Sequence, residues 1–412
     1  MAANLIKLSD RVKTRKEYFG GILFNIDTGD VIEVDREAFT VISTMRESGA
    51  VDMETLLNLS SHVKIQWPEY KHLSAPETIH WALTYRCDHS CLDCYVSRYR
   101  GCIAQELDNQ QALKLVDKIA GSGAFQLAIG GGEPFLRSDL NDIVQSAAEK
   151  GLTVHITTGK YDLENKQLTD LAKYIKVIQI GIRPDELFHT DDYTTDKLRA
   201  LVTRLEEYRI HTGANLIMTR SSIRNLDRIL ERLIDIGFKK YTLLRYKPPA
   251  DITRWLQENP DRCDLLLLEE KVVSLHKKYP DAVLRIDCAF SFLERRLNPR
   301  IALFSGIRGC VAFDRIMAVA PNGSVYPCSQ LVGDKFKAGD LLNEDFDFIW
   351  HQNELTARYR DFREIQSFRT GSCGKCQSKA FCGGCRVFAG DAIGSDPGCP
   401  EPIFRNNKKI EN

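Results

Sequence analysis

Along the middle of the chain, short runs in which apolar and polar residues alternate every second position give way to stretches with the helical spacing of three and four. Strand-like runs occur at Thr78–Thr84, Phe125–Ile129, Thr153–Thr157, Val177–Ile182, Ala214–Met218 and Tyr241–Tyr246. Between them lie helical stripes such as Leu113, Val116 and Ile119, or Leu226, Ile229, Leu230 and Leu233. Strands alternating with helices predict a parallel sheet with right-handed crossovers. Six such units, rather than eight, predict an α/β fold built as a partial (β/α)6 barrel that is partly open. Ligands of such sheets bind at the carboxyl ends of the strands.

Two further blocks flank this one. Before it, Tyr18–Ile26 and Val31–Val34 read as a hairpin around Asp27-Thr28-Gly29-Asp30. A helix then starts at Asp35, a candidate N-cap, with Phe39, Ile42 and Met45 on one stripe, and a shorter helix follows around Met53–Leu59. After about Asn298 the chain is dense in cysteine and glycine and weak in periodicity. Small domains of that composition are usually held by metal rather than by an apolar core. The expected organisation is therefore residues 1–75, 76–297 and 298–412.

Composition narrows the chemistry. Lysine plus arginine number 56 and aspartate plus glutamate 56, a formal net charge of zero. Nothing in that balance argues for a nucleic-acid or anionic-membrane partner. No run of about 18 apolar residues suggests a membrane span, and Met1–Asp10 lacks the basic flank and apolar core of a secretory signal. A cytoplasmic address is expected. There a cysteine-rich chain is more often a metal protein than a disulfide framework, and the odd count of thirteen cysteines agrees.

Cys87, Cys91 and Cys94 follow the first strand in the order C-x3-C-x2-C. Three thiolates on one loop can bind an iron-sulfur cube and leave its fourth iron open, whereas structural zinc prefers four ligands in two pairs. The second strand ends in Gly130-Gly131-Gly132-Glu133-Pro134, where glycines let backbone approach closely and a carboxylate can accept from an ammonium. Together these motifs resemble the radical S-adenosylmethionine (radical SAM) superfamily. The resemblance implies that Cys87, Cys91 and Cys94 hold a 4Fe-4S cluster whose open iron chelates S-adenosyl-L-methionine (SAM), with Gly131, Gly132, Glu133 and Pro134 at its methionine end. By location Tyr95, Thr157 and Arg183 are further candidate contacts. This chain departs from the common pattern in carrying Asp93 where an aromatic residue is frequent, and in reading Thr157-Thr158-Gly159 where relatives often have Thr-Asn-Gly.

The carboxy-terminal block reads Cys310, Gly323-x4-Cys328, Cys373-x2-Cys376-x5-Cys382-x2-Cys385 and Cys399. It resembles the SPASM domain, which implies two auxiliary 4Fe-4S clusters and three clusters in all. By position the distal cluster falls to Cys373, Cys376, Cys382 and Cys399, and the proximal one to Cys310, Cys328 and Cys385. Many relatives have three residues, not two, between the cysteines matching Cys382 and Cys385. Cys102, Cys263 and Cys288 remain. Cys263 reads as a small buried apolar residue, Cys102 as a candidate to face the active site, and Cys288 as a candidate fourth ligand of the proximal cluster. Pro299 and Gly306 interrupt the run between Cys288 and Cys310, which favours three ligands and an open iron.

The amino-terminal block resembles a RiPP recognition element, a winged-helix-like module related to the pyrroloquinoline quinone D protein. It implies capture of the leader of a precursor peptide as an added strand; a structural cap on the barrel is the alternative. The whole then resembles a peptide maturase: an enzyme that removes hydrogen from a precursor peptide with a 5'-deoxyadenosyl radical and forms a thioether or a carbon-carbon or carbon-oxygen crosslink, with an auxiliary cluster taking the surplus electron. A flavodoxin or ferredoxin would supply reducing electrons. The rival enzyme is a sulfatase-maturase-like dehydrogenase, whose aspartate base after the cysteine matching Cys328 is here Ser329. A non-catalytic leader-binding or electron-transfer protein is the third reading. Which residues are catalytic is not legible.

Overall fold

The computed structural model describes residues 8–49, 52, 65–101, 105–188, 193–293, 309–380 and 382–399. The expected helix at Met53–Leu59, the boundary near Asn298 and Cys102 lie outside them. Among the described residues no helix is long and apolar enough to cross a membrane.

All six expected strands are present as β4 (Thr78–Thr84), β5 (Gln126–Gly131), β6 (Thr153–Thr158), β7 (Ile175–Ile182), β8 (His211–Met218) and β9 (Lys240–Arg245), each paired in parallel with the next. One more parallel strand, β10 (Val283–Ile286), joins β9. At the other edge β11 (Ile316–Val319) pairs in parallel with β4, and β12 (Ser324–Tyr326) and β13 (Gly339–Asp340) continue the sheet antiparallel. The sheet thus runs β10-β9-β8-β7-β6-β5-β4-β11-β12-β13 and stays open. The carboxy-terminal block is therefore not a separate appendage. Its first strand, β11, is hydrogen-bonded to the strand that precedes the cysteine triplet.

Helices cover one face of the sheet because their stripes match. On α2 (Asn109–Gly121) Ala112, Leu115, Val116 and Ile119 are buried, and Asp108 closes its start in a capping box with Gln111. On α6 (Leu226–Ile236) Leu226, Ile229, Leu230, Leu233 and Ile236 are buried, and Gly237 ends the helix in the left-handed region. The strand residues beneath, among them Ile79, Trp81, Leu127, Ile129, Val154, Ile156 and Leu216, complete the core. The intervening positions, Ala82, Gly130, Thr157, Gly181 and Asn215, keep accessible surface on the concave face. That face is lined by small or polar side chains.

The amino-terminal block contains the expected hairpin as β2 (Gly20–Asn25) and β3 (Val31–Asp35), followed by α1 (Arg36–Ser48) with Asp35 accepting from the Ala38 backbone. A further strand, β1 (Val12–Glu17), pairs with β2. This sheet sits at the amino-terminal ends of the barrel strands, away from the cysteine triplet. Lys13 reaches Thr153 Oγ1 at 3.1 Å, and Arg15 donates to the carbonyls of Ala75, Pro76 and Gly123 at 2.7, 2.9 and 3.0 Å. Phe24 stacks on Phe125 with centroids 5.1 Å apart. Arg15 also pairs at 2.6 Å with Glu17, which is fully buried. A buried ion pair with its remaining lone pairs satisfied by Ser74 fixes an orientation that apolar packing alone would leave loose.

Candidate active site

The carboxyl ends of β4 and β5 are zipped together beyond the sheet. Gly132 N donates to Thr84 O at 2.7 Å and Glu133 N to Arg86 O at 2.9 Å. A Cβ on Gly132 would lie 2.0 Å from Arg86 O, and Gly131 has φ +106 with Thr84 O 2.5 Å from where its Cβ would be. These glycines are required first by the backbone of the cysteine-bearing loop, which lies against them. The loop carrying Cys87, Cys91 and Cys94 is thereby held over the ends of β4 and β5.

Glu133 is 1% exposed. Its carboxylate accepts from Gly159 N at 2.9 Å, Phe135 N at 3.2 Å and the Thr158 hydroxyl at 2.9 Å. Burial pushes its pKa up, opposed by those three donors. Arg183 donates to Gly159 O at 3.0 Å and to Glu186 at 2.5 Å, lies 4.2 Å over the Tyr161 ring, and hydrogen-bonds the Cys91 thiol. Thr157 is exposed on the concave face beside Gly130. Pro134 opens a short turn whose first residues are buried. Tyr95 is buried next to Ser329, and burial raises its pKa, with Cys94 and Cys328 adding to the effect. It therefore lies between the triplet loop and Cys328.

Asp88 and Lys160 were not singled out from the sequence, and Asp93 was named there only as a departure from the common pattern. Asp88, inside the cysteine loop, binds His89 Nδ1 at 2.7 Å and Lys160 Nζ at 3.0 Å. Lys160 follows the end of β6, so this chain of charges ties the loop to the third strand. Asp93 accepts from the Tyr246 hydroxyl at 2.6 Å and from Arg254 at 2.9 Å, a polar clamp where an aromatic contact is common. The signal that marked it was that departure alone.

The three thiols of the triplet bear on one another electrostatically. Burial raises the pKa values of Cys91 and Cys94, while Arg183 opposes this at Cys91 and the Val96 and Ser97 backbone N–H groups oppose it at Cys94. Converging sulfurs with N–H donors aimed at them fit an iron-sulfur cluster, whose potential depends on such bonds.

A second group of thiols forms where β9, β10 and the carboxy-terminal block meet. Burial pushes Cys328 up to about 11 and Cys385 up to about 12, with Cys310 adding to both and Lys247 opposing both. Cys288 starts a short turn capped by Asp287, and its thiol is pushed far up by burial and by Asp287, Cys310 and Cys385. Lys247, 7% exposed, is paired with Asp287 beside them. These thiols with a buried cation beside them fit a cluster of net negative charge.

The third group sits around Cys373 and Cys382. Ser291 Oγ donates to Cys382 Sγ at 3.1 Å, Asp396 N to Cys373 Sγ at 3.3 Å, and Ser378 N to Cys376 Sγ at 3.3 Å. Cys399 N bonds Asp396 O at 3.4 Å. The short two-residue gap between Cys382 and Cys385 is spanned by Gly383 and Gly384 at φ +70 and +78; a Cβ on Gly384 would lie 2.9 Å from Cys373 Sγ. Two left-handed residues let the chain turn from one thiol group to the other in a single step. Cys263, expected to be buried, is exposed on the helix Arg262–Lys278, because it lies opposite that helix's buried stripe of Leu265, Leu268 and Val272.

Residues 81–244 match the Radical SAM superfamily, and residues 310–378 match SPASM, an iron-sulfur cluster-binding domain. The mycofactocin maturase MftC of Mycolicibacterium smegmatis is 28% identical over 345 residues, 80% of this chain and 84% of the relative. The AdoMet-dependent heme synthase of Methanosarcina barkeri is 26% identical, over 82% and 99%. The fold is similar to that of Streptococcus suis SuiB bound to S-adenosylmethionine, with a TM-score of 0.73, 19% identity and coverage of 96% of this chain and 100% of that one; SuiB bound to its precursor peptide SuiA gives 0.69.

Proposed function

Since the chain is a radical SAM enzyme with a carboxy-terminal SPASM iron-sulfur domain, we propose that it matures a ribosomally made precursor peptide by forming a carbon-carbon or carbon-oxygen crosslink. When bound, the triplet's cluster and SAM supply a 5'-deoxyadenosyl radical able to remove hydrogen from an unactivated carbon. The chain's own residues hold and orient. Glu133 offers its carboxylate to the cofactor's ammonium, Arg183 braces the end of β7 against Gly159 and Cys91, and Asp88 with Lys160 keeps the loop closed on β6. The small and polar concave face leaves width for an extended peptide segment.

One observation carries the peptide reading. Among the described residues β3 is paired only on its β2 side, and the edge strand shows an apolar residue, Ile32, that is 59% exposed. An unpaired edge with an exposed apolar side chain is a template for an added strand. The PqqA peptide cyclase of Ruegeria pomeroyi, 25% identical to this chain, supports the same substrate class. The Ile32→Lys variant is expected to bind the leader half of its precursor at least about tenfold more weakly, since an apolar anchor at such an edge contributes more than about 1.4 kcal/mol. Anisotropy of a labelled leader reads this directly; unchanged affinity in a variant of unchanged melting temperature removes β3 from recognition.

The crosslink rests on the proximal thiols. On this reading Cys288, whose thiol is pushed up in part by Cys310 and Cys385, completes a set of four cysteines that leaves no open iron, against the sequence-based preference for three ligands. The clusters are then three: Cys87, Cys91 and Cys94; Cys288, Cys310, Cys328 and Cys385; Cys373, Cys376, Cys382 and Cys399. Replacing Cys288 with alanine is expected to remove or convert one auxiliary cluster, lowering iron from about twelve toward about eight per chain. Unchanged iron and an unchanged electron paramagnetic resonance (EPR) spectrum mean an open site, where a substrate thiolate could bind and a thioether becomes the favoured product. The dehydrogenase reading lacks its base, since Ser329 stands where its aspartate is expected. A flavodoxin or ferredoxin is the reductant this chemistry asks for.

A further inference from the structure

Arg245, the last residue of β9, and Asp396, between Cys385 and Cys399, form a bidentate pair 151 residues apart in sequence. Nη1 meets Oδ2 at 2.5 Å and Nη2 meets Oδ1 at 3.0 Å. The side chains are 6% and 1% exposed. The Phe388 ring lies 3.7 Å from the guanidinium centre and closes one side. None of the roles above uses this pair.

Its contacts touch three of the cysteine-bearing turns around the auxiliary sites. Asp396 Oδ2 accepts from Cys385 N at 3.1 Å, and Asp396 N donates to Cys373 Sγ at 3.3 Å. Arg245 Nη1 donates to Ala289 O at 3.2 Å, one residue past Cys288. A charge buried this completely acts through low dielectric, so its field on a neighbouring cluster is barely screened. Groups outside the ligand shell that donate to or orient ligands tune a metal centre's potential.

We propose that the Arg245–Asp396 pair is a potential-setting link between the two auxiliary clusters, in which the barrel's guanidinium favours their reduced state and the carboxylate offsets it. Reduction by dithionite adds one electron to a cluster, with no bond made or broken and no proton needed. A nearby cation therefore raises the midpoint potential and a nearby anion lowers it. The pair makes the redox poise of the carboxy-terminal domain depend on the end of β9, the strand that also carries Tyr246 and Lys247 toward the active site. Mere packing would have no such sign.

The inference rests on the reading that the second and third thiol groups hold clusters, and the test separates the two. In the full chain, Cys87, Cys91 and Cys94 are changed to alanine so that only auxiliary clusters remain, and EPR-monitored dithionite titrations are run on Arg245→Gln, Arg245→Lys, Asp396→Asn and the Arg245→Gln/Asp396→Asn double variant. The expected shifts are downward for Arg245→Gln and upward for Asp396→Asn, with Arg245→Lys and the double variant close to the parent. Shifts of the same sign in both single variants, or no shift, overturn the proposal. Should a single variant lose its iron, the uncharged double variant decides: iron and parental potential retained support charge balance, iron lost makes the pair a structural contact only. A parent without auxiliary iron overturns the cluster reading, and the inference with it.

Discussion

Replacing Cys87, Cys91 and Cys94 together with alanine is expected to abolish 5'-deoxyadenosine formation from SAM and to remove about four irons per chain, while the auxiliary clusters stay. The two outcomes are separable because the structure separates the thiols. The triplet lies on the loop after β4, braced by Arg183 and by the Asp88–Lys160 pair. The other thiols are held by the turns around Asp287 and Asp396. Iron analysis and chromatography of the nucleoside product check both. Deoxyadenosine from the triple variant would mean that the radical chemistry has been assigned to the wrong cysteines.

Glu133→Gln has the next largest expected effect, and it acts on binding and stability at once. The carboxylate accepts from Gly159 N, Phe135 N and the Thr158 hydroxyl in a buried site. A side-chain amide can direct only one oxygen there and turns N–H toward another donor, leaving a buried group unmatched at a cost of about 1–3 kcal/mol. On the proposed role of Glu133 as partner of the cofactor's ammonium, the variant also loses a charge-assisted bond worth about 2 kcal/mol, so SAM affinity should fall by roughly thirtyfold. Denaturant unfolding and calorimetric SAM titration measure the two. Full affinity in the variant would place the ammonium elsewhere.

Much of the fold was legible because its signals are local. Each of the six strands announces itself by period-two alternation bounded by turn residues, and Val177–Ile182 or Tyr241–Tyr246 needed no partner to be read. The triplet and the Gly131–Glu133 turn carry their spacing in one stretch of chain. Strand β1 did not show, since Val12–Glu17 is Val-Lys-Thr-Arg-Lys-Glu and docks through lysine and arginine reaching carbonyls rather than through an apolar face. The pairing of β11 with β4 joins segments more than 200 residues apart, and no periodicity encodes a long-range register.

The site shows the same division. Cysteine spacing gave the thiols of each local motif, but whether Cys288 joins Cys310 and Cys385, as proposed above, depends on where β10 ends against the carboxy-terminal block, which no local spacing encodes. Tyr95 adjoins Cys94 in sequence, yet the turn Tyr95–Tyr99 rotates it toward Ser329. Gly131 and Gly132 were read as room for a ligand, whereas their nearest constraint is the carbonyls of Thr84 and Arg86. The Arg245–Asp396 pair has no signal at all in sequence, being two ordinary charged residues until the fold buries them together.

The most direct test of the whole account is to incubate the anaerobically reconstituted enzyme with SAM, a reductant and any short peptide found encoded beside its gene, and to follow peptide mass and deoxyadenosine together. A peptide lighter by two hydrogen atoms, carrying an internal crosslink found on fragmentation and formed in step with deoxyadenosine, is the result expected. A peptide of unchanged mass, with deoxyadenosine formation indifferent to it and stimulated instead by a tetrapyrrole of the kind a heme synthase handles, would contradict the assignment of a peptide substrate.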